Sequence, residues 1–282
     1  MSPATALVAL LLAQPLAGVR VAVVADDPGK PFVEARRELV AAGAAVDDPL
    51  ASDSPGLSAK LADPEIKAWL ALGPRSARTL AAAQTSAPRA AALLRASDAP
   101  PNLAAVSLEV PLDQQVKWLT SAFPDRGRLI VLLHPDQSAA LGAAAQLACK
   151  RAGLKLDLRE VREAGEAVPA LEEALSRDRR SSLVWLLPDP VAVGPDTVAE
   201  LVQTALKLRV PIAGFSGLFL RAGALAAVVS DPGASALQAV TEALKGHTGV
   251  FSPASARLEV DGRRAERLEV VVREGPGVQV KR

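Results

Sequence analysis

The residues of this sequence that could do chemistry sit in short polar loops behind apolar runs. They are Asp26; Gly73, Arg75 and Ser76; Ser97 and Asp98; His134, Asp136 and Gln137; Asp189; Ser216; and Ser230 with Asp231. Several of these loops combine a turn former with a short hydroxyl or carboxylate just ahead of a helical stretch. Such a loop presents helix N-terminal N–H groups, which suit an anion such as a ligand carboxylate. The same residue types are good helix caps, so each position carries two readings, ligand contact and cap. Arg75 opens a helix at a strand end, where it can pair with a ligand carboxylate or stand in solvent. His134 follows a strand without a partnered nucleophile nearby, and reads as pocket-lining or capping rather than catalytic.

Enzyme signatures are missing. The sequence holds no GxSxG, no GxxxxGK[ST] and no HExxH, and the run Gly214-Phe215-Ser216-Gly217 lacks the spacing of a nucleophile elbow. No catalytic residue is assigned and no enzyme is expected. Cys149 is the single cysteine and there are two histidines, His134 and His247. A zinc ribbon and a redox CxxC pair are thereby excluded, two histidines argue against a His-based metal site, and no metal or cofactor is expected. Cys149 lies in the helical pattern AAAQLACKRAG and reads as a buried structural thiol.

The 282 residues carry 32 Lys and Arg against 31 Asp and Glu, for a net charge of +1. That balance argues against a nucleic-acid coat or a polybasic membrane binder. Aromatics are only 3%, with no Tyr, so stacking platforms for bases are scarce. Hydrophobic residues at 50% and charged residues at 22% provide for a sizeable core and exclude long disorder. Trp69, Trp118 and Trp185 fall inside apolar elements and read as core.

Residues 4–13 form an apolar run too short to span a membrane. Residues 1–18 read as a secretory signal peptide cut near Ala17 or Gly18, although no Lys or Arg precedes the run. The competing reading is a first core helix of a cytosolic protein. The abrupt change to a strand-like pattern at Val19 favours the signal, and a periplasmic or secreted chain follows. There is no cysteine for lipid attachment, and no membrane insertion is expected after cleavage.

From Val19, short apolar runs alternate with amphipathic helical stretches. Strands are expected at 19–24, 66–72, 89–94, 103–108, 129–133, 155–161, 183–187, 210–215 and 225–229. Helices are expected at 32–42, 76–83, 111–123, 139–152, 168–176, 197–208 and 234–245. Residues 257–260 and 268–272, around Asp261-Gly262, read as a hairpin. The alternation means βαβ units and parallel sheets, and the series starts twice, at Val19 and at Leu129. The expected fold class is α/β, with two doubly wound Rossmann-like lobes, parallel sheets and a ligand cleft between them. In open sheets of this kind ligands bind at strand carboxyl ends, where the candidate loops lie.

Ordered features from Ile66 to Gly246 carry a resemblance. Leu72-Gly73-Pro74 with Ala77 forms a strand–Gly–helix loop. Ser97-Asp98-Ala99-Pro100 is a Ser-Asp turn, and Pro111, Gln115, Leu119 and Pro124 keep the spacing of an interlobe helix. Residues 129–135 form an apolar strand ending in His134-Pro135, where Asn-Pro is usual. Pro188-Asp189 stands for a Pro-Pro-Asp-Asn loop, and residues 210–217 continue into Leu218, Ala222, Gly223 and Ala224. This stretch resembles the substrate-binding proteins of ABC transporters of the tryptophan/tyrosine type, which have the type I periplasmic binding protein fold. The segment before Ile66 is shortened relative to that family. The acidic residue usual near Ser216 is replaced by an apolar stretch with Phe219, and the tail ends in charged residues.

The resemblance implies an N-terminal lobe of 19–125 plus 231–250 and a C-terminal lobe of 126–230 plus 251–282. It implies a periplasmic solute-binding component that captures a small, amino-acid-like organic solute and presents it to an ABC permease and its ATPase. The alternative is a ligand-free descendant of the fold, acting as an envelope interaction or sensor protein.

Overall fold

The computed structural model describes residues 15–282; the apolar run at 4–13 lies outside them. In chain order the elements are β1 (Arg20–Ala25), α1 (Lys30–Ala41), β2 (Ala45–Val46), α2 (Leu57–Leu61), β3 (Ala68–Leu72), α3 (Pro74–Ala82), β4 (Arg89–Leu94), β5 (Ala104–Ser107) and α4 (Leu112–Ala122). There follow β6 (Arg128–Leu133), α5 (Ala139–Arg151), β7 (Lys155–Glu160), α6 (Ala167–Arg177), β8 (Ser182–Trp185), α7 (Pro195–Lys207), β9 (Ile212–Gly214) and α8 (Gly217–Ala222). The chain ends with β10 (Ala226–Val229), α9 (Pro232–Leu244), β11 (Gly249–Phe251), β12 (Arg257–Asp261), α10 (Gly262–Leu268) and β13 (Val278–Lys281).

Two compact units result. One runs to Glu109 and takes in Ser230–Ser255; the other is Val110–Val229 with Ala256–Arg282. The first unit holds a sheet in the order β11-β5-β4-β3-β1-β2, parallel at every pairing. Its strands alternate between two cores, as a period of two requires. Val21, Val23 and Ala25 face a cluster shared with Leu39 of α1 and Ala236, Ala239 and Val240 of α9. Ala22 and Val24 face the opposite cluster, shared with Leu57 of α2 and Leu80 of α3. Strands buried on both faces read as continuous apolar runs, which is why they stand out in the sequence.

The second unit holds the order β13-β12-β10-β9-β8-β6-β7, parallel except where β10 meets β12. Leu129, Val131 and Leu133 of β6 face α4 and α5 through Val116, Leu119, Ala145 and Cys149. Ile130 and Leu132 face α6 and α7 through Leu171, Leu175, Leu201 and Ala205. Trp69 and Trp185 are fully buried and Trp118 nearly so.

The unit boundaries differ from those expected. The first crossing falls at Glu109 rather than after 125, because α4 packs on α5, β12 and β13 and gives Trp118 and Leu119 to the second core. Ser230 goes with the first unit. The last crossing falls at Ser255 rather than after 250, since the Ser255 hydroxyl accepts from the Asp231 N–H at 3.2 Å.

The expected C-terminal hairpin does not form. Asp261 Oδ1 accepts from the Arg264 N–H at 2.9 Å and so starts α10 instead of a turn. Glu269, with φ of 55°, closes that helix. β12 pairs with β10 on one side and with β13, in parallel, on the other, and 268–272 is not a strand. The edge elements β2, α2 and β11 were not expected; each is two to five residues long, too short for a periodic signal.

Candidate functional site

In each unit the parallel strands bring their carboxyl ends, and the loops that follow, to one edge of the sheet. In the first unit these are the loops after β1, β3, β4 and β5. Asp26, following β1, reaches across to the start of α3. Its Oδ2 accepts from the Arg75 N–H at 2.9 Å and its Oδ1 from the Ser76 N–H at 2.6 Å. The buried Ser76 hydroxyl donates to Oδ1 as well. A carboxylate at a helix N-terminus satisfies otherwise orphan N–H groups and complements the helix dipole. Gly73 makes the approach possible. Its φ is 105°, and a Cβ there would fall 2.5 Å from Asp26 Oδ2.

Near its carboxyl end β4 has a register shift between Ala92 and Leu94, where Leu93 takes a φ of 63°. Such a left-handed conformation is costly for a branched side chain. Ser97 and Asp98 lie in the one-turn helix Ala96–Asp98 that follows. Glu109 accepts from the Ala96 N–H at 3.1 Å. Ser107, at the end of β5, accepts from the Glu109 N–H and donates to its carbonyl, both at 3.1 Å. Asp231 caps α9, accepting from the Ala234 N–H at 3.0 Å; Ser230 is half-buried beside it.

In the second unit the loops after β6, β8 and β9 are neighbours. Asp189 lies four residues past β8 and is buried, with 3% of its surface exposed. Its Oδ1 accepts from the Val191 N–H at 2.9 Å and the Ala192 N–H at 2.6 Å. Its Oδ2 accepts from the His134 N–H at 2.7 Å and the Ser138 hydroxyl at 2.6 Å. Burial pushes this carboxyl's pKa upward, but the Ser138 hydroxyl and the three N–H groups outweigh it. The net effect holds the group below its ordinary value.

His134 caps its own loop. Its Nδ1 accepts from the Asp136 and Gln137 N–H groups, each at 3.2 Å, as an Asn side chain would in an Asx turn. That pattern assigns the ring proton to Nε2. Asp136 is exposed and pairs with Arg162 at 3.4 Å; Gln137 is also exposed. Ser216 is half-buried and stands at the N-cap of α8 without bonding the helix by its side chain. Next to it, the Phe215 and Phe219 rings lie 4.8 Å apart at 59°. Gly214 is required there, because a Cβ would fall 2.1 Å from Phe219 Cγ.

The structure therefore joins Asp26, Gly73, Arg75 and Ser76 in one cluster, and His134 and Asp189 in another. Ser97, Asp98, Ser216, Ser230 and Asp231 stand singly at strand ends. Ser107 and Glu109 were not singled out, and Ser138 only as the end of the His134–Ser138 loop. Of these, Ser138 had a usable signal, a hydroxyl one residue ahead of a helix. A separate concavity of about 440 Å³ lies at the amino ends of β6 and β7. Most of its charges are engaged within the chain: Arg128 pairs with Asp157, Arg177 with Glu173, and Asp178 accepts from Ser181. Among the described residues no group of three or more His, Cys, Asp or Glu could hold a metal, and no helix is long and apolar enough to cross a membrane.

The architecture defines the class of protein: an α/β chain of the type I periplasmic-binding-protein-like fold. It is similar to the ligand-free, open form of a substrate-binding protein with adhesive properties from Clostridium difficile. The TM-score is 0.73 at 13% identity, covering 94% of this chain and 99% of that one. It is similar to an ABC domain in complex with L-Trp from Streptococcus pneumonia, with a TM-score of 0.54 at 17% identity over 94% and 100%. It is also similar to a transcriptional activator of the comK gene from Bacillus halodurans, with a TM-score of 0.52 at 12% identity over 89% and 95%. No family model and no curated protein matches the sequence.

Proposed function

We propose that the chain is the solute-binding component of an ABC transporter. It takes a small, amino-acid-like organic solute at the strand carboxyl ends of its units and presents it to a permease and its ATPase. The reading has the protein in the periplasm or outside the cell, delivered by an amino-terminal leader. One observation carries it: a fold shared along nearly the whole chain with a substrate-binding protein, with polar loops gathered at the edge where such sheets bind ligands. Aromatic amino acids lead the candidate solutes, on the resemblance from Ile66 to Gly246 and on the neighbour that holds L-Trp.

A second reading, a ligand-free envelope interaction protein, is favoured by how fully the carboxylates of Asp26 and Asp189 are occupied from within the chain. A thermal-shift screen separates the two. Its panel holds aromatic and branched amino acids, short peptides, nucleosides and small carboxylates. A ligand at 100 times its Kd stabilises the native state by about 2.7 kcal/mol. A saturable rise for one solute class supports the transport reading. A flat response from well-folded protein overturns it in favour of the second.

A further inference from the structure

Leu16 lies ahead of β1, in the segment the sequence assigns to the leader, and yet it belongs to the first unit's core. Only 1% of its surface is exposed, and it shares a cluster with Val21, Leu39 and Ala42. Its N–H donates to the Ala42 carbonyl at 3.0 Å, and its carbonyl accepts from the Val19 N–H at 3.0 Å. The second bond closes a tight turn through Ala17 and Gly18. Gly18 has a φ of 77°, the left-handed conformation that a type II turn needs at its third residue. Ala17 and Gly18, the small residues that look like a cleavage signal, are thus the corner that turns Leu16 back onto the sheet.

We infer that the leader is cut ahead of Leu16, between Ala13 and Gln14, and that the mature chain keeps the 16–19 turn. This rests on the secretion reading above. A leader peptidase cuts after a small residue, and the last small residue ahead of Leu16 is Ala13, at the end of the apolar run, with Leu11 two positions before it. The Ala13–Gln14 C–N bond breaks; water supplies the hydroxyl to the Ala13 carbonyl carbon and the proton to the Gln14 nitrogen. A cut after Ala17 or Gly18 would remove a filled core position and leave the Ala42 carbonyl without its donor.

The test is to express the full chain in a bacterium with a periplasm, recover the exported protein and determine its N-terminus by intact mass and sequencing. The expected terminus is Gln14, or its cyclised form after loss of ammonia. A terminus at Gly18 or Val19 overturns the inference and leaves secretion standing. An uncut, retained chain overturns both. Melting temperatures provide a second measurement. A chain starting at Val19, and the Leu16→Ala variant of the chain starting at Gln14, are both expected to melt several degrees below the chain starting at Gln14. Equal melting temperatures for the three overturn the inference.

Discussion

The Ser138 hydroxyl donates to Asp189 Oδ2 at 2.6 Å, tying the start of α5 to the loop after β8. Ser138 is the N-cap of α5, but its side chain makes no bond to that helix. Asp189 thereby fixes the spacing of two loops at the candidate edge of the second unit. Replacing Asp189 with Ala leaves the Ser138 hydroxyl and three N–H groups without their acceptor, and is expected to cost about 3 kcal/mol in urea denaturation. Ser138→Ala removes one bond and should cost about 1 kcal/mol. A loss below that for Asp189→Ala would mean the loops are held by other contacts.

The same carboxylate sets a pH dependence. Its folded pKa lies below the ordinary value, so its contribution is fully present above the unfolded pKa of about 4. The contribution is lost as pH falls through the depressed folded value. Stability measured from neutral pH downward should therefore fall less steeply below about pH 4 in Asp189→Asn than in the unaltered protein. Parallel curves would sink this assignment.

Gly73→Ala tests the corresponding cluster of the first unit. The substitution forces a Cβ against Asp26 and strains a φ of 105°, and a loss of about 1–3 kcal/mol is expected. In an Asp26→Ala background the two closest contacts, to Oδ2 and Cγ, are gone and the tight 3.0 Å contact to Cβ and the backbone strain remain, so the penalty should shrink. Additivity of the two changes would show that Gly73 does not serve the Asp26 contact.

Cys149 should be inert in the folded protein. Burial pushes its thiol up to about 11 and leaves 1% of it exposed, and the thiolate is the reactive form. A disulfide reagent at pH 8 should label it only as fast as the protein unfolds; rapid labelling under native conditions would contradict its place in the core.

What the sequence disclosed follows from burial. β1, β3 and β6 are sealed on both faces, so apart from Arg20 and Arg128 at their first positions their residues are all apolar and the runs are plain to read. The loops at their ends were legible for the same reason, as the polar interruptions. Which loop residues touch was not legible, because the bonds join positions far apart in the chain. Asp26 and Ser76 are 50 residues apart, and His134 and Asp189 are 55 apart. The tail misled because 268–272 is a Val-rich apolar run that pairs with no strand, while the true strand, β13, follows a further loop. The burial of Leu16 in the first unit's core was not legible, because a core leucine and a leader residue look alike when only composition is seen.

The first unit is closed by an element made late. α9 supplies Ala236, Ala239, Val240 and Ala243 to its core and packs on α1, β3, β4 and β5, but it is encoded after nearly all of the second unit. On the ribosome, the amino-terminal sheet must wait with one apolar face covered only in part, by α1, while the second unit emerges. The order in which the chain is made is therefore not the order in which its units can be completed. Chaperone engagement with the nascent chain should be strongest before α9 has left the exit tunnel.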